Sequence, residues 1–197
     1  MKWAVTLFGR VLFTLLGPVR VRDRNKQPTT GGLLILANHR SDCDPIVVQL
    51  ASPRHVYFMA KSELWEIGWL KKFLDFWGAF PVNRGAPDRA AIKKAVELLK
   101  AGHCVCIFPE GKLSETGRLQ EILPGALLVA KMAGTPFQCL GIQRSEKIIP
   151  YGSLVPRPAW GYVTATWGEV NYIDSTSDVR DFAQHVHTEL RTLTNEI

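Results

Sequence analysis

A histidine and an aspartate five positions apart, His39 and Asp44, are the first residues in this chain that could do chemistry together. They sit in Asn38-His39-Arg40-Ser41-Asp42-Cys43-Asp44, directly after the apolar run 31–37 (GGLLILA). That run reads as a buried strand. Asp44-Pro45 reads as the opening of a helix, with Asp44 as N-cap and Pro45 at the first helical position. A strand-to-helix turn can bring the carboxylate back onto the imidazole. A carboxylate so placed fixes the ring tautomer and makes the ring a better base near neutral pH. This is two-thirds of a nucleophilic triad, and no Gly-x-Ser-x-Gly elbow supplies the rest. The nucleophile is therefore expected to arrive with the substrate, as an acceptor hydroxyl. The competing reading is bland: Asp44 caps a helix in any case, and His39 is a satisfied turn residue.

Two further groups lie at strand ends. Phe108-Pro109-Glu110-Gly111 follows the run 104–108. A carboxylate there can bind a polar acceptor or hold a cation, while Pro109 fixes the backbone and Gly111 permits close approach. Gly78-Ala79-Phe80-Pro81-Val82-Asn83-Arg84 ends in an arginine, the side chain suited to a bidentate grip on phosphate. Taken singly, a solvated glutamate and a surface arginine are the simpler readings.

The elements that must position these residues alternate. Strands are predicted at 31–37, 55–59, 78–82, 104–108, 137–142 and 162–170. Helices are predicted at 44–51, 62–76, 87–101, 124–133 and 178–196. This pattern predicts a single α/β domain with a mostly parallel central sheet flanked by helices. Sites in such sheets gather at the carboxyl ends of the strands.

The chain has 197 residues and a net charge of +6. Residues 1–30 carry Lys2, Arg10, Arg20, Arg22, Arg24 and Lys26 against Asp23, so most of the excess lies there. The basic residues border the run 2–16 (KWAVTLFGRVLFTLL). Lys2, Thr6, Arg10 and Thr14 recur every fourth residue and form one narrow polar stripe on an otherwise apolar helix. A spanning helix needs about 20 mainly apolar residues, and this run is shorter with Arg10 at its middle. Two readings remain: an N-terminal amphipathic helix lying in the membrane surface, or a helix packed on the core. The apolar arc and basic flank favour the membrane, which sets a boundary between a membrane-association segment 1–30 and a catalytic domain 31–197. On this reading removal of residues 1–19 leaves the core folded. Nucleic-acid binding is disfavoured because the charge sits beside an apolar helix.

The cysteines, Cys43, Cys104, Cys106 and Cys139, read as reduced core residues. A zinc site drawn from His39, Cys43, His103 and the Cys104/Cys106 pair lacks structural-zinc spacing. His55, His103, His185 and His187 read as structural or surface residues.

Taken together the blocks are more specific. The chain from about Leu33 to Ile142 resembles the glycerolipid acyltransferase family, which includes 1-acylglycerol-3-phosphate acyltransferases. His39 and Asp44 match the family's His-x4-Asp motif. Residues 60–84 look like its second block, ending in Arg84. Residues 108–111 match its Phe-Pro-Glu-Gly block, and 124–136 (PGALLVAKMAGTP) look like the stretch that follows. The resemblance implies transfer of a fatty acyl group from acyl-CoA or acyl carrier protein to the hydroxyl of a lysophosphatidate-type acceptor in phospholipid biosynthesis. His39 would be the general base and Asp44 its partner. Arg84, Glu110, Gly111 and Lys112 would bind the acceptor's glycerol-phosphate end. It implies no metal or organic cofactor. The apolar N-terminal helix with its basic flank and the reduced cysteines lead to the expectation of a peripheral or monotopic place on the cytoplasmic face of a membrane. The oxyanion would be met by backbone N–H groups that the sequence does not identify. Two departures bear on the acceptor. Lys112-Leu113-Ser114 stands where relatives often have Thr-Arg-Ser, leaving Lys112 or Arg118 to supply the charge. Leu123 or Pro124 stands where relatives often have Lys. The alternatives are another lysolipid or amine acceptor, hydrolysis by water, and a non-catalytic lipid-binding relative.

Overall fold

The computed structural model describes residues 2–83, 88–153, 155–174 and 178–196. Two strands at the centre of the sheet explain why it forms. Strand β2 (Leu33–Ala37) and strand β5 (Cys104–Ile107) are buried at every position. A strand apolar on both faces needs cover on both, and burial of each large side chain is worth roughly 1.5–3 kcal/mol. Leu33, Ile35, Ala37, Cys104 and Cys106 face one core, and Leu34, Leu36, Val105 and Ile107 face the other.

Around them lie β1 (Val19–Arg22), β3 (Val56–Lys61), β4 (Phe80–Val82), β6 (Phe137–Gln143) and β7 (Val163–Asn171), in the order β1-β7-β6-β2-β5-β3-β4. Pairing is parallel except between β6 and β7. Helices α1 (Lys2–Leu16), α2 (Asp44–Ala51) and α3 (Gly68–Trp77) cover the first core, with Phe13, Val47, Val48 and Trp77 packed into it. Helices α4 (Arg89–Lys100), α5 (Gly125–Ala133) and α6 (Val179–Leu193) cover the second, through Ala95, Leu99, Leu127, Val186 and Leu190. The result is the expected three-layer α/β domain with a mostly parallel sheet.

Local chemistry sets the boundaries. The Asp88 side chain accepts the Ala91 N–H at 3.0 Å and starts α4, a cap worth about 1 kcal/mol. Gly78, at φ 84°, ends α3 in the left-handed region. The predicted helix over 62–76 divides into a 3-10 turn (Ser62–Glu66) and α3, and β4 begins at Phe80 rather than Gly78. Gly32 lies so close to α4 that a Cβ there would come within 2.1 Å of the Leu99 carbonyl oxygen.

Two findings alter the reading of the N-terminal segment. Residues 19–22 form a strand paired with β7, so the sheet begins inside 1–30. Helix α1 packs on α2, and Phe13 is 1% exposed in the first core. Removing residues 1–19 would therefore open the core rather than leave it intact. The same helix also presents Leu7, Val11 and Leu15, 46%, 57% and 74% exposed, as an outward row at every fourth residue. No described helix is long and apolar enough to cross a membrane.

Candidate active site

Strands β2 and β5 are neighbours in parallel, with Leu36 opposite Ile107. The residues after β2 and the residues after β5 therefore emerge side by side at one edge of the sheet. This topology brings the His39 segment to the Phe108–Gly111 segment.

Asn38 anchors the turn. Its side chain donates to the Ile142 carbonyl at 2.9 Å and accepts the Ile142 N–H at 2.6 Å. These bonds carry the β2–β6 ladder one residue further and fix where His39 leaves the sheet. The His39 carbonyl accepts the Ser114 N–H at 2.9 Å, and its N–H donates to Glu110 Oε1 at 2.6 Å. The imidazole stacks on Phe108, with ring centroids 4.0 Å apart and planes 17° from parallel.

Asp44 is fully buried, and its Oδ2 lies 3.0 Å from His39 Nδ1. The same oxygen accepts the N–H groups of Arg40 at 2.6 Å and Ser41 at 2.8 Å. Asp44 is therefore not the N-cap that the sequence predicts. It is the first residue of α2, the preceding Cys43 makes no side-chain cap, and the Asp44 carboxylate turns back over the loop. With Nδ1 on Asp44, Nε2 is the ring nitrogen left for a substrate.

That ring borders a groove of about 500 Å³. Phe58, Leu70, Phe73, Leu74, Trp77 and Phe108 line it, with Ala60 and Ala79 beside them. The groove is mostly apolar and fits an aliphatic chain better than a polar ligand.

Nearby hydroxyls and thiols are occupied. Ser41 Oγ donates to the Ile149 carbonyl at 2.8 Å, and Ser114 Oγ donates to the Arg118 carbonyl at 2.6 Å. Burial, then the Asp44 charge, pushes the Cys43 thiol up to about 12, where it is no nucleophile at neutral pH. Burial likewise holds the thiols of Cys106 and Cys139 well above their ordinary range. The four cysteines are buried and form no disulfide. Among the described residues no His, Cys, Asp or Glu cluster has the form of a metal site.

The acceptor residues expected from the sequence divide three ways. Glu110 is buried, and both oxygens are engaged, Oε1 by His39 and Oε2 by the Gln120 N–H at 2.8 Å. Burial raises its carboxyl above the ordinary value, against the pull of those N–H groups. It braces two backbone segments. Gly111 and Lys112 are exposed beside it, with Gly111 at φ 72°. Arg84 lies outside the described residues. Sequence reasoning did not single out Asn38, Phe108, Ser114 or Gln120: the first three meet partners across neighbouring strand ends, and Gln120 meets Glu110 across the fold of the loop that holds both. It also did not foresee that the N–H groups of His39, Arg40 and Ser41 are all taken by carboxylates, which removes them as oxyanion donors.

Comparison with known proteins gives the family and the fold. The Acyltransferase family model matches residues 18–143, more than half of the chain. The chain belongs to the acyltransferase family. Among curated relatives of this acyltransferase, the 1-acyl-sn-glycerol-3-phosphate acyltransferase of Bacillus subtilis is 34% identical over 128 residues, covering 64% of this chain and 63% of that protein. The Streptococcus pneumoniae protein of the same name is 26% identical over 193 residues, 95% of this chain and 66% of its own length. The chain thus spans just under two-thirds of these relatives. The crystal structure of the 1-acyl-sn-glycerophosphate (LPA) acyltransferase PlsC from Thermotoga maritima superposes with a TM-score of 0.85 at 23% identity, covering 100% of this chain and 79% of that one. At that identity the likeness is one of fold.

Proposed function

We propose that this acyltransferase moves a fatty acyl group from a thioester, acyl-CoA or acyl carrier protein, to the hydroxyl of a lysophosphatidate-type acceptor in phospholipid biosynthesis. One observation carries the reading: a His39 ring fixed by Asp44 at Nδ1 stands at the mouth of an apolar groove. The names of the curated relatives support the choice of acceptor.

The acyl chain lies in the groove with its thioester carbonyl near His39. His39 Nε2 takes the proton of the acceptor hydroxyl as its oxygen attacks the carbonyl carbon. The C–S bond then breaks, and the imidazolium returns the proton to the departing thiolate. Asp44 stabilises the imidazolium between the two transfers. A thioester is already activated, so orientation and a base suffice. No acyl-enzyme is required, in keeping with the engaged state of Ser41, Cys43 and Ser114. Lys112 supplies charge for the acceptor phosphate, with Gly111 allowing close approach and Arg84 as a second cation. Glu110 repels a phosphate and shapes this end through the backbone that it holds. The enzyme works at the cytoplasmic membrane surface, with the Leu7, Val11 and Leu15 row against lipid beside Arg10 and Arg20.

The test is thiol release from acyl-CoA by the purified protein in mixed micelles, with and without lysophosphatidate, against His39→Ala. Acceptor-dependent release and a lipid product, both lost in the variant, are expected. Release without acceptor would make the protein a hydrolase. Transfer to an amine or to another lysolipid alone would replace the acceptor.

A further inference from the structure

We propose that Glu196 is a positioning residue for His39, acting through Arg40. Two carboxylates staple the same pair of backbone segments. Glu110 joins His39 to Gln120 through their N–H groups at 2.6 and 2.8 Å. One residue along each segment, Glu196 repeats the arrangement. Its Oε2 accepts the Leu119 N–H at 2.9 Å, and its Oε1 meets the guanidinium of Arg40.

The foot of this second staple is fixed. Glu196 follows α6, its N–H donates to the Arg191 carbonyl at 2.9 Å, and its carbonyl accepts Arg191 Nε at 2.8 Å. Leu190 of α6 is fully buried, and Leu193 packs so closely on Gly141 that a Cβ there would meet it at 2.5 Å. The Glu196 carboxylate is therefore tied to the sheet.

The charge matters because Arg40 is 9% exposed and its Nε has no acceptor among the described residues. A buried guanidinium must meet carboxylates. Those acting on Arg40 include Glu146, Asp44 and Glu110. Asp44 and Glu110 are the two groups that hold the His39 ring and the His39 backbone. Glu196 draws the guanidinium away from them. Without that partner, Arg40 competes with His39 Nδ1 and the His39 N–H for the oxygens they use.

Glu196→Gln keeps the size of the side chain and an oxygen for Leu119, and removes the charge. The kcat for thioester transfer, measured well below the melting midpoint, should fall on the order of 10-fold to 100-fold, as for a small misplacement of a catalytic group. KM for the thioester should change little. The His39 ring titration, followed by NMR, should shift. Arg40→Met with Glu196→Gln should lose no more than Arg40→Met alone, because the two act as one unit. If Glu196→Gln folds poorly, the same change is read in the Arg40→Met background, where the competing cation is gone and kcat and the His39 titration should stay at their Arg40→Met values. A lowered melting midpoint with native kcat and an unmoved His39 titration would overturn the proposal, as would additive losses in the double variant. The kcat arm rests on the acyl-transfer reading. The titration needs no turnover, so an inactive native protein would count against that reading while the titration still decides the clamp.

Discussion

Glu110 holds His39 by its backbone while Asp44 holds it by its ring. The His39 N–H donates to Glu110 Oε1 at 2.6 Å, and His39 Nδ1 sits 3.0 Å from Asp44 Oδ2. The two carboxylates come from different elements, the loop after β5 and the first turn of α2. The imidazole is thereby fixed in position and in tautomer by separate groups, and each can be tested separately.

Removing the base should abolish transfer while sparing the fold. His39→Ala should lower kcat on the order of 10²–10⁴-fold. Asp44→Asn should lose a similar factor, because an amide still accepts the Arg40 and Ser41 N–H groups but no longer stabilises an imidazolium. Steady-state kinetics beside thermal melts would check both. A variant with native kcat would remove that residue from the reaction.

Glu110 should tie stability to pH. Burial raises its carboxyl above 4.5 in the folded chain. A raised value means that folding favours the protonated form, so this contribution is full below the unfolded pKa and is lost as pH rises through the folded one. The native protein should therefore gain stability relative to Glu110→Gln as pH falls from neutral toward that value. Urea unfolding at a series of pH values measures the difference. The opposite slope would mean that the N–H bonds to His39 and Gln120 outweigh burial.

The groove should set chain length. Ala79 is one of its small lining residues, and Ala79→Phe would fill part of the space beside Trp77 and Phe73. Each methylene denied burial costs about 0.8 kcal/mol, a factor of about four in binding. Competition between thioesters of different length should show preference moving to shorter chains. An unchanged profile would place the chain elsewhere.

The outward row on α1 should govern lipid binding without affecting folding. Leu7→Ser, Val11→Ser and Leu15→Ser together change exposed positions and leave Phe13 in the core. Flotation with anionic vesicles should weaken, and the melting midpoint should hold. Undiminished flotation would move the contact to another face. Deleting residues 1–19 would not serve, since it also removes the start of β1.

The site was legible in the chain where its chemistry is local. His39 and Asp44 are five positions apart, and one turn joins them. The alternation of apolar runs revealed the strands that place this turn beside Glu110. Asn38, Ser114, Gln120 and Glu196 were not legible as site residues, because each acquires its role from a partner that strand order, helix docking or, for Gln120, the fold of its own loop brings near. Strand β1 escaped notice for another reason. Its four residues alternate Val with Arg inside a basic segment, and half of an edge strand faces solvent. Asp44 shows a local rule overridden. Its residue type and the following Pro45 predict a cap, yet its carboxylate is bound by the loop it organises.

The register of β1 has a consequence for synthesis. Val19 lies opposite Val163, and β7 stands between β1 and the remaining strands. A ribosome makes roughly 5–20 residues per second, so the first strand waits on the order of ten seconds for the strand that receives it. Throughout that interval α1 is outside the ribosome without a finished sheet beneath it, and its apolar surface is free to meet a bilayer. The nascent chain thus carries an uncovered apolar helix before its sheet has closed.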